Sequence, residues 1–61
     1  MSTETLPQDA AMLLSFINLK LRDYYDNLEE LCGSMDVNRE ELCRKLAGID
    51  YEYDPAVNQF I

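Results

Sequence analysis

Leu31-Cys32-Gly33-Ser34-Met35-Asp36-Val37-Asn38-Arg39-Glu40-Glu41-Leu42-Cys43-Arg44-Lys45-Leu46 is the stretch from which the architecture can be read. Leu31, Met35, Val37, Leu42 and Leu46 stand where a helix-turn-helix puts its interior residues, and Cys32 fills the position that must stay small for the two helices to approach. Asp36-Val37-Asn38 supplies a short turn between them. Asn38-Arg39-Glu40-Glu41 has the spacing of a helix-start capping box, so a helix is expected over Arg39 to Ala47, with Gly48 placed to act as a left-handed C-cap.

Upstream, Asp26-Asn27-Leu28-Glu29 carries the same capping spacing, with the Asp26 carboxylate expected to accept from the backbone of Glu29. The helix it opens presents Leu28, Leu31, Cys32 and Met35 on one face. Gly33 inside it costs up to about 1 kcal/mol relative to alanine, so a stop near Ser34 or Met35 is expected. Before it, Asp9 caps a longer helix reaching about Tyr24: Ala10, Leu13, Leu14, Ile17, Leu21 and Tyr24 recur at helical spacing, while Ser15, Asn18 and Arg22 fall on the other side. Residues 1–8, without periodicity and interrupted by Pro7, read as a flexible N-terminal arm to a single domain over residues 9–61.

Downstream of Gly48 the period changes from 3.6 to 2. Ile49, Tyr51 and Tyr53 alternate with Asp50, Glu52 and Asp54; Asp54-Pro55-Ala56-Val57-Asn58 has turn chemistry, and Gln59-Phe60-Ile61 returns. The expected fold is mainly α (α+β): three helices, the second and third helix-turn-helix-like, closed by a short C-terminal β-hairpin.

Composition narrows the function. The chain has 61 residues, enough for one domain. Its net charge of -7 is spread along the sequence, which opposes binding to phosphate backbones and anionic lipid. It contains no histidine, the commonest general base and metal ligand. Two cysteines are too few for a disulfide framework, and the acidic start lacks the pattern of a secretory leader, so a cytoplasmic protein is expected. The longest apolar run, Ala10 to Leu14, is far too short to span a membrane.

Several constellations bear on chemistry. As a recognition helix, Arg39 to Ala47 would set Asn38 and Arg39 near base edges and Arg44 and Lys45 on phosphates. Glu40 and Glu41 occupy the turn that would enter the groove, and Ile49 to Ile61 carries no base, so nucleic acid is the less favoured partner. Asp50, Glu52, Asp54 and Asn58 alternate like calcium ligands, but the turn glycine is missing and Ile61 stands where a bidentate acid is needed; the wet face of a strand is the simpler reading. Cys32 and Cys43 have no neighbouring ligands and read as small hydrophobes. The pairs Glu29/Glu30 and Glu40/Glu41 diverge by about 100 degrees on a helix, the wrong geometry for shared acid-base work. No metal or cofactor is expected.

One feature exceeds what a core needs. Met12, Phe16 and Leu19 form a second apolar stripe on the first helix, set roughly 100 degrees or more from Leu13, Ile17 and Leu21. Either the hairpin or another chain should cover it.

Leu6-Pro7-Gln8-Asp9, Met12-Leu13-Leu14-Ser15-Phe16-Ile17-Asn18, Leu21-Arg22-Asp23-Tyr24-Tyr25, Leu28-Glu29-Glu30-Leu31-Cys32, Tyr51-Glu52-Tyr53-Asp54 and Asn58-Gln59-Phe60 together resemble the short bacterial proteins grouped as domain of unknown function 4250 (DUF4250). The resemblance covers nearly the whole chain. Ala10 departs from it, standing where the family pattern often has a proline. The family has no assigned activity, so the resemblance transfers no functional residues and implies only a free-standing bacterial protein. The residues themselves lead us to expect a non-catalytic protein-interaction module. Its partner would be a second copy, forming a homodimer, or another protein, held by Met12, Phe16 and Leu19 or by the aromatic hairpin. A helix-turn-helix DNA-binding protein is the alternative, and an enzyme is disfavoured because so small a chain encloses no typical substrate pocket.

Overall fold

A computed structural model describes residues 6–61. Helix α1 spans Ala10–Asp23, α2 Leu28–Met35 and α3 Arg39–Ala47; strands β1, Tyr53–Asp54, and β2, Gln59–Phe60, form an antiparallel hairpin. The mainly helical architecture and its order are those expected from the sequence. Helix α1 is the hub, packing against α2, α3 and β2. Its Leu13, Ile17 and Leu21 meet Leu28, Leu31 and Cys32 of α2, Leu42 and Leu46 of α3, and Phe60 of β2 in one core. Among the described residues no helix is long and apolar enough to cross a membrane.

The caps explain the boundaries. Asp9 accepts from the Ala11 N–H at 3.1 Å and Asn38 from the Glu41 N–H at 3.0 Å, fixing the starts of α1 and α3 where the sequence puts them. The second helix corrects the expectation: its cap is Asn27, accepting from Glu30 N–H at 2.8 Å, and not Asp26. The chain as far as Tyr25 is still held to the end of α1 through Tyr25 N–H and Lys20 C=O. Reversal is completed only at Asn27, whose backbone is extended.

The end of α3 differs from expectation, whereas α2 stops at Met35 as expected. Gly48 is right-handed, at φ -63, and is no left-handed cap. The left-handed residue is Asp50, at φ 69, flanked by Asp50 N–H to Ala47 C=O and Tyr51 N–H to Leu46 C=O, the two bonds of a Schellman motif. Helix α2 ends likewise on Asp36 at φ 58, with Val37 N–H donating to Cys32 C=O. Because Ile49 and Asp50 belong to this helix exit, the strand begins later than the alternation suggests, with Glu52 and Ile61 exchanging both backbone bonds. Tyr24, expected inside, follows the last turn of α1 and is exposed; Tyr25 packs against the core in its place.

The hairpin is fastened to α1 by polar side chains. Asn18, expected on the outer side of the helix, bonds both backbone groups of Phe60, and Gln59 Nε2 donates to the Asn18 carbonyl. Asn58 Nδ2 donates to the carbonyls of Leu21 and Tyr25, while its Oδ1 accepts from the Tyr53 hydroxyl at 2.7 Å. Of the expected arm, residues 1–5 lie outside the described residues; Leu6 is half-buried and packs against the core.

Candidate functional site

The 14 residues of α1 make the helix about 21 Å long, and it buries only one side of itself. Successive residues turn by about 100 degrees, so Met12 and Leu19 fall nearly opposite Ile17. They are 62% and 45% exposed. Phe16 lies between these two faces and is half-buried against the core, with Lys20 Nζ 5.3 Å from its ring centroid and 4.7 Å from that of Tyr24. The ammonium is thus within cation–π reach of both rings. The stripe expected from the sequence is therefore divided: Phe16 anchors its inner margin, and Met12 and Leu19 face outward.

The hairpin does not cover Met12 and Leu19. It sits on the flank of α1 marked by Asn18, Leu21 and Tyr25. Tyr51, which the helical periodicity does not link to the stripe, stands 37% exposed across a groove from Leu19, with Leu14, Ser15 and Arg22 along the same groove. The alternation Tyr51-Glu52-Tyr53 contained the signal, but only the seating of the hairpin on Asn18 brings Tyr51 beside α1.

The four candidate DNA contacts are brought together only in pairs, Arg39 with Arg44 and Asn38 with Lys45, on two different grooves. Asn38 is engaged as the cap of α3, and Arg39 lies 3.7 Å from Glu29 in an exposed ion pair. Arg39, Arg44 and Lys45 are spaced roughly 100 to 140 degrees apart around α3. Arg39 and Arg44 line a groove that also holds Glu29 and Glu52, whereas Lys45 borders a different one beside Met35 and Val37.

Elsewhere the polar groups are occupied structurally. Asp54, considered as a calcium ligand, accepts from Ala56 N–H at 2.9 Å in the hairpin turn. Burial raises the Cys32 thiol pKa above its ordinary value, with Cys43 adding in the same direction; both thiols are free. Arg22 and Asp23 pair at 3.1 Å on the surface at the end of α1, which raises the pKa of the guanidinium and lowers that of the carboxyl. Among the described residues, no three of Cys, Asp or Glu converge as metal ligands would.

A family model described as "Domain of unknown function (DUF4250)" matches residues 7–60 of the chain. No curated protein and no solved structure matches it.

Proposed function

We propose, from the premise that this chain belongs to the DUF4250 family of domains of unknown function, that it is a non-catalytic protein-interaction module docking through the outer face of α1. The exposure of Met12 and Leu19, on the helix whose opposite side is the centre of the core, carries the reading. Single exposed aliphatics are ordinary, but these two flank Phe16 and Leu19 shares a groove with Tyr51, so apolar surface continues from helix to hairpin. The sequence lacks histidine, and its carboxylates serve as caps and surface charge, which supports a binding role over catalysis. Free cysteines support a reducing compartment such as the cytoplasm.

DNA binding is the second reading, favoured by the succession of α2, a three-residue connection and α3. The divergence of Arg39, Arg44 and Lys45 and the carboxylates beside them weigh against it, since affinity for duplex DNA depends on several bases meeting consecutive phosphates.

A photoreactive side chain introduced at Ser15, and separately at Lys45, tests the assignment in cells. The expected outcome is a protein adduct of discrete mass from Ser15 and none from Lys45. Adducts from Lys45 alone, or from neither position, contradict it.

A further inference from the structure

We draw no further inference here: the strongest candidate, the groove between β1 and α3 lined by Tyr53, Pro55, Arg39, Cys43 and Arg44, sets its bases beside Glu29 and Glu52, and nothing in the structure shows what covers it.

Discussion

Asn18 holds the peptide unit of Phe60 from both sides, its Nδ2 donating to the carbonyl at 3.0 Å and its Oδ1 accepting from the N–H at 2.8 Å. The reason lies in the hairpin. Glu52 and Ile61 exchange both backbone bonds, and in an antiparallel ladder the adjacent pair, Tyr53 and Phe60, then turns its N–H and C=O groups outward. Those of Phe60 face α1, and the Asn18 amide satisfies them much as a neighbouring strand would. This bond pair seats Phe60 in the core and leaves the opposite side of α1 uncovered by the hairpin.

Asn18→Ala should therefore lower stability by about 1–3 kcal/mol, since it strands two partly buried backbone groups. Asn58→Ala should cost at least as much, because it frees the Leu21 and Tyr25 carbonyls and puts alanine at φ 56. Denaturant melts measure both, and hydrogen exchange at Phe60 should accelerate in the first variant. Unchanged melts would remove the clamp from the account.

At the helix starts, Asn27→Ala and Asn38→Ala should each cost about 0.5–2 kcal/mol, whereas Asp26→Ala should cost much less. The Asn27 side chain satisfies a backbone amide of α2; Asp26 contributes only a long 3.4 Å backbone contact to Glu30. Equal losses at Asp26 and Asn27 would place the cap one residue earlier.

Left-handed aspartates end α2 and α3, and glycine adopts that conformation without a Cβ penalty. Asp36→Gly and Asp50→Gly should each leave stability unchanged or raise it by up to about 1 kcal/mol. Gly48→Ala, at a right-handed position where the added Cβ would lie 3.2 Å from the Lys45 carbonyl, should bring no comparable gain. Thermal melts rank the three, and a stability loss in both aspartate variants would contradict the assignment of the helix ends.

Burial raises the Cys32 thiol pKa above 9.0, aided by Cys43 and opposed by Arg39. The folded thiol keeps its proton at a pH where the unfolded thiol releases it. Its contribution to stability is thus complete below about pH 9 and is lost as pH rises through the raised value. Urea midpoints followed above pH 9 should fall more steeply for the wild type than for Cys32→Ala, and parallel curves would show that the thiol is not responsible.

The helices were legible because periodicity and caps are local: Arg39–Ala47 follows directly from Asn38 and the spacing of Leu42 and Leu46. The cap of α2 was ambiguous because Asp26 and Asn27 each precede an acid at the right spacing, and the choice is made by where Tyr25 is held. Asn18 reads as solvated in the sequence, because nothing local announces the strand edge that arrives from 42 residues away. The apolar surplus at Met12, Phe16 and Leu19 was visible in the sequence. Its division into an inner Phe16 and an outer pair was not, since periodicity cannot say which neighbour covers a flank.

Assignment of the outer face of α1 as the docking surface is tested most directly by the photoreactive side chain at Ser15, used in cells with and without Leu19→Lys. The expected result is a protein adduct of discrete mass that Leu19→Lys abolishes while the circular dichroism of the variant stays that of the wild type. An adduct that survives Leu19→Lys, or adducts formed from Lys45 alone, would contradict it.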